Sequence, residues 1–257
     1  GKDASQPAGC PTEVIDWPQY GLKALRCWRD PPAQRLISWH HWAEPKQNPP
    51  KPWQRDFGDG WEHLFCRYLL EIGEDVFLHM TEAGMKIPGM AGTYSWSTSG
   101  ARTLPEPAND GTWEARLWHS GVSKAHPHVY ATMVYLYAAE HPLSIYDGQG
   151  TNENPMRGLL KAGQVISLEQ EIKVNTITNG APNRDGVIRV WQDGVLIFER
   201  TNVYLRKYPN VRIQSIPWVN IYHGGMGIPS GPFHYDIGGI CVAREYIGPP
   251  KVLAAKG

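Results

Sequence analysis

The sequence predicts an all-β fold, a sandwich of two stacked antiparallel sheets with few short helices. Three observations carry this expectation. From Trp61 onward, stretch after stretch alternates apolar and polar residues with a period of two, the signature of a half-buried strand. The 27 Gly and 22 Pro punctuate the chain every few residues, as short strands joined by turns require. Val187 to Trp191 and Val195 to Glu199 are β-branched or aromatic runs on either side of Gln192-Asp193-Gly194, and Asp-Gly between such runs is a strong hairpin signal.

At 257 residues, with 41% hydrophobic and only 19% charged residues, the chain can bury a full core. One domain is expected over 61–250. Residues 1–60 lack sustained periodicity and are crowded with Pro, so they are expected to wrap the domain as an arm anchored by Trp17, Trp28, Trp39, Trp42 and Trp53. Lys plus Arg equals Asp plus Glu at 25 each, which excludes an overall basic field for nucleic acid or anionic lipid. A polyanion, if bound, must be met locally. No apolar run approaches a membrane span, and a chain beginning at Gly1 fits removal of a secretion signal, so a secreted or periplasmic protein is expected. The 11 Trp and 12 Tyr suit stacking on sugar rings as well as core packing. Of the four cysteines, which permit three fully paired connectivities, Cys10 and Cys27 are the expected bridge, and Cys66 and Cys241 stay open between a second bridge and free buried thiols. None is spaced as a metal knuckle, and the adjacent His40 and His41 point opposite ways in a strand.

Trp61 to Glu71 sets Leu64, Cys66, Tyr68 and Leu70 against His63 and Arg67. Gly84 to Gly92 carries one lysine, Lys86, in an otherwise uncharged setting, and the long Thr93 to Asp110 loop is a candidate lid. Thr112 to Ser120 places Trp113, Ala115 and Leu117 on one face and Glu114, Arg116 and Trp118 on the other. A guanidinium beside an indole suits a groove for carboxylated sugars, and pairing of Arg116 with Glu114 is the plain alternative. Val129 to Tyr137 ends with Tyr135 and Tyr137 on one face, about 7 Å apart at strand rise. In Gln164 to Asn175, Ile166, Leu168, Ile172 and Val174 face one way, with Glu169 and Glu171 among the opposing residues. Ile216 to Gly225 has Trp218, Asn220 and Tyr222 on one face and His223 on the other, as a strand walling a groove would. Phe233 to Ala243 contains Gly238-Gly239, which signals a bulge.

Taken in order, these stretches resemble polysaccharide lyase family 14 and its relatives, the alginate and glucuronan lyases. The resemblance runs from about Trp61 to Gly248. Met85-Lys-Ile-Pro-Gly89 is similar to the family's Lys-Leu-Pro-Gly segment, Ala115-Arg-Leu-Trp118 to its Arg-Leu-Met-Trp strand, and Tyr135-Leu-Tyr137 to its Tyr-x-Tyr pair; Asp193-Gly and His223-Gly-Gly225 close the series. The resemblance implies a β-jelly roll, and it places Lys86, Arg116, Tyr135 and Tyr137 at catalytic or substrate-binding positions. Glu114, Trp118, Asn220, Tyr222 and His223 are the candidate substrate contacts around them. Three departures stand out: Glu114 where relatives often have Ser, His223 in place of an aromatic, and a longer stretch holding His126-Pro-His128.

The implied chemistry is coherent on its own terms. Cleaving a 4-linked uronate by β-elimination removes the proton α to a carboxylate, whose charge must first be neutralised. Arg116 has the fork for that, Lys86 can share the task or act as base, and two phenols can serve as base and acid. No cofactor is required, with calcium left open in a structural role. The expected partner is an acidic polysaccharide, with no nucleic acid or membrane, and the expected state is a monomer. The alternatives are a non-catalytic carbohydrate-binding jelly roll and a glycoside hydrolase using Glu169 or Glu171.

Overall fold

The alternating stretches become strands. A computed structural model describes residues 12–29, 35–42, 60–79, 85–92, 113–119, 129–138, 141–147, 159–222 and 230–251. Among them are β1 (Thr12–Trp17), β2 (Leu22–Arg29), β3 (Arg35–Trp42), β4 (His63–Ile72), β5 (Met85–Gly92), β6 (Trp113–His119), β7 (Val129–Ala138), β8 (His141–Asp147) and β9 (Leu159–Lys161). They continue with β10 (Val165–Lys173), β11 (Ile177–Thr178), β12 (Ala181–Pro182), β13 (Gly186–Gln192), β14 (Val195–Val203), β15 (Ser215–Tyr222) and β16 (Phe233–Ala243). A single short α-helix, α1 (Glu74–His79), is found among the described residues.

Two seven-stranded antiparallel sheets form the sandwich. One, the supporting sheet, runs β1-β2-β16-β4-β10-β13-β14; the other, the groove sheet, runs β3-β15-β5-β6-β7-β8, with β9 also paired to β7. Their inner faces interdigitate. Leu64, Tyr68, Leu70, Ile166, Leu168, Ile188, Phe233 and Tyr235 from the first meet Met85, Ile87, Met90, Trp113, Ala115, Leu117, Val134 and Leu136 from the second in one buried cluster. The apolar half of each alternating strand thus points inward, leaving Glu114, Arg116 and Tyr135 to the outer face of the groove sheet.

The β13–β14 hairpin turns at Asp193 and Gly194, both with positive φ (50° and 82°), the geometry an Asp-Gly turn of the primed type needs. In β16 the register against β4 slips between Gly238 and Cys241, and Gly239 has φ 57°. This bulge keeps both Ile237 and Ile240 packed on the core although two residues, Gly238 and Gly239, separate them.

The N-terminal segment differs from the expected arm: β1 and β2 extend the supporting sheet and β3 edges the groove sheet. Its alternation is hidden because β2 has cover on both faces. Cys27 and Leu25 pack on the main core, while Ala24 joins Trp17 and Leu69 in a second small cluster outside the sheet. Cys27 is fully buried, with Sγ 3.8 Å from the Leu25 carbonyl; Cys10, its expected partner, lies outside the described residues. Cys66 is buried and Cys241 half-exposed, both as free thiols, and burial first, then nearby Cys241, pushes the Cys66 thiol up to about 12.

Candidate active site

The site begins at a fault in β5. Against β6, Lys86 pairs with Trp118 and Ile87 with Leu117, but the next pair is Met90 with Ala115, so Pro88 and Gly89 bulge out of register. The extra residue shifts parity: Met85, Ile87 and Met90 all reach the core, and Lys86 turns to the outer face. Two core side chains from the supporting sheet hold the bulge. Tyr68 Oη donates to Pro88 O at 2.8 Å, and Gln170 accepts from Met90 N at 3.0 Å while donating to Ala115 O at 2.8 Å. Gly89 completes the fit, since a Cβ there would lie 2.3 Å from Ala115 O and 2.6 Å from Arg116 Cα. One glutamine therefore ties β5 and β6 together directly beneath Lys86 and Arg116.

Register does the rest. Arg116 pairs with Tyr135, Tyr135 with Tyr146, Glu114 with Tyr137, and Tyr222 with Lys86. Directly opposed residues share a face, so the sequence-predicted Lys86, Glu114, Arg116, Trp118 and Tyr135 share one outer face across β5, β6 and β7, with Tyr137 and Tyr222 opposite Glu114 and Lys86 in backbone register. Asn220 lies two residues before Tyr222 in β15, opposite Ser38 of β3. His223, His126, His128 and the candidate lid of residues 93–110 lie outside the described residues. Tyr146 was not singled out in the sequence, where only the short alternation Ser144-Ile-Tyr146 marks its strand.

Arg116 and Glu114 are both buried, and they meet: Nη2 donates to Oε1 at 3.0 Å, and Nε stands 3.0 Å from Oε2 as an ion-pair contact. Arg116 is thus paired and on the groove face at once. Lys86 reaches across β6 to place Nζ 4.3 Å from the centroid of the Tyr135 ring. Its pKa is lowered to about 8, chiefly by burial and then by the Arg116 charge, against an opposing pull from Glu114. The face therefore offers a guanidinium, an amine that sheds its proton at about pH 8, and phenols in register with both.

The carboxylates of the hydrolase alternative lie elsewhere. Glu169 and Glu171 are on the outer face of the supporting sheet, across the core from this site, and are structurally engaged. Glu169 accepts from Ile247 N and Gly248 N, both at 2.8 Å, and Glu171 pairs with His63 (2.7 Å) and Arg189 (2.9 Å). Among the described residues no group of three or more His, Cys, Asp or Glu is arranged to hold a metal ion.

Sheet order and stacking define a β-jelly roll, a sandwich of two antiparallel sheets. Solved structures with that fold include an alginate lyase from Chlorella virus, with a TM-score of 0.63 at 12% identity over 91% of this chain and 88% of that one. The marine PL-14 alginate lyase from Aplysia kurodai gives 0.57 at 13% identity, covering 90% of this chain and 86% of that one. The endo-β-1,4-glucuronan lyase from the fungus Trichoderma reesei gives 0.57 at 12% identity, covering 93% and 89%. At the level of sequence, no family model and no curated protein matches the chain.

Proposed function

We propose that the chain is a polysaccharide lyase that cleaves a 4-linked polyuronate of the alginate or glucuronan type by β-elimination. The observation that carries this is the placing of Lys86 Nζ 4.3 Å from the Tyr135 ring, with Arg116 opposite Tyr135 in register, on one sheet face. In this reading Arg116 faces the uronate carboxylate and makes the neighbouring C5 proton more acidic. Lys86, neutral above pH about 8, or a phenolate takes that proton. The C5 electron pair forms the C4=C5 double bond, the C4–O4 bond breaks, and O4 receives a proton from the phenol of Tyr135 or Tyr137. Trp118, Asn220, Tyr222 and His223 contact the flanking sugars.

The structural neighbours are named for alginate and glucuronan, which supports a uronate. No transition metal or cofactor enters the steps, and calcium would have a structural role. The proposal includes a secreted or periplasmic setting, since a long polyanion does not cross a bilayer, and a monomer, since one sheet face supplies the reacting groups.

The test is a panel of alginates, glucuronan and other polyuronates, followed by the ultraviolet absorbance, at about 235 nm, of the conjugated double bond that elimination creates. A rise with at least one polymer is expected. New reducing ends without absorbance would mean hydrolysis, and binding without product would mean a carbohydrate-binding protein; either result overturns the proposal.

A further inference from the structure

Among the described side chains, Glu114 is the charged group of this face that the elimination steps do not use. Its carboxylate is 7% exposed and Arg116 is 10% exposed, so the pair is largely withdrawn from water. Among the described groups, Glu114 meets Arg116 on its own strand and feels the charge of Lys86 from β5, and it lies opposite Ala91 of β5 and Tyr137 of β7 in backbone register. A buried guanidinium without a counterion is costly. With a neutral guest in the groove, Arg116 would otherwise meet that cost, whereas Glu114 already offsets it. A free carboxylate instead has to share Arg116 with a protein carboxylate in contact with the same guanidinium, and like charges at that range repel.

We propose that Glu114 is a specificity-determining residue that opens this groove to uronate units whose carboxyl group is esterified, alongside free uronates. The proposal rests on the lyase reading and names its substrate class more closely. The chemistry agrees with the electrostatics. An ester carbonyl carries no full negative charge, so the proton α to it is more acidic than that beside a carboxylate and asks less of a cation. The step balances as before: the base takes the C5 proton, the C4=C5 bond forms, C4–O4 breaks, O4 is protonated, and the ester is carried into the product intact.

The experiment compares wild type with Glu114→Gln, Glu114→Ser and the charge-retaining Glu114→Asp on glucuronan and on methyl-esterified glucuronan. It measures kcat/KM by absorbance and affinity by calorimetry, with a melting curve for each protein. Wild type is expected to use the ester within about tenfold of the free acid; Gln and Ser should raise the acid-to-ester ratio by about tenfold or more, and Asp should hold it near wild type. If Gln fails to fold, Ser decides. An unchanged ratio in the folded neutral variants, an Asp variant that behaves like Gln, or a wild type that neither binds nor cleaves the ester would overturn the proposal. Absence of unsaturated product from every protein would defeat the lyase reading separately, and the calorimetric ratio would still decide the role of Glu114.

Discussion

The Lys86 ammonium sits over the ring of Tyr135, 4.3 Å from its centroid, with a whole strand between the two backbones. Neighbouring strands are about 4.8 Å apart, so the lysine stem must lie along the sheet over β6 to make this contact. That path buries it. A cation above an aromatic face favours the charged amine, yet burial and the nearby Arg116 outweigh this and bring the pKa down to about 8.

Lys86 should therefore shape the pH profile of turnover. If it acts as the base, kcat/KM rises as pH passes through about 8, and Lys86→Met loses both that rise and about 10²- to 10⁴-fold in turnover. Stability responds in step. Below the folded pKa the buried charge is at its most costly; between there and the unfolded value of about 10.4 the unfolded chain binds more protons, so stability rises with pH. Lys86→Met should then melt higher than wild type at neutral pH, with the gap closing toward pH about 10. A gap that does not change with pH would place the lysine in water.

Arg116→Lys keeps a charge but loses the fork, so both affinity and turnover on polyuronate should fall. Arg116→Ala should do more, because it strands the buried Glu114 carboxylate, and removing one partner of a buried pair costs about 3–5 kcal/mol. Denaturant curves on the two variants separate these effects: Lys should lose function with little stability, and Ala should lose both.

The glutamine beneath the site is a third test. Gln170→Leu leaves the Met90 amide and the Ala115 carbonyl without their side-chain partner in the core, at about 1–3 kcal/mol for each. Tyr68→Phe removes only the bond to Pro88 O and should cost about 1–2 kcal/mol. Because both side chains hold the bulge that turns Lys86 outward, turnover should fall along with stability, and the rise near pH 8 should shift. Loss of stability with an unchanged pH profile would mean that the bulge does not position Lys86.

The sandwich was legible because most strands have one covered face, which leaves a clean period of two. β2 was not, because a second cluster around Trp17, Ala24 and Leu69 covers its outer side and blurs the alternation, and β1 was not, because it is an edge strand that fully buries only Trp17. Strand parity was enough to put Arg116 and Tyr135 on the outer sides of their strands, away from the core. The route by which Lys86 joins them was hidden, since it depends on a bulge and on tertiary bonds from the other sheet. A signal for it was present all the same: Gln170 interrupts the apolar face formed by Ile166, Leu168, Ile172 and Val174, and a polar side chain there must find partners inside the core.

The most direct measurement of the account is the turnover of Tyr135→Phe and Tyr137→Phe on the polyuronate that wild type cleaves, with a melting curve for each. Phe keeps the ring and removes the oxygen that carries a proton. At least one variant should lose about 10²- to 10⁴-fold in kcat while still binding substrate and melting near wild type. Near-normal turnover in both would contradict the claim that this face of the sheet carries the elimination.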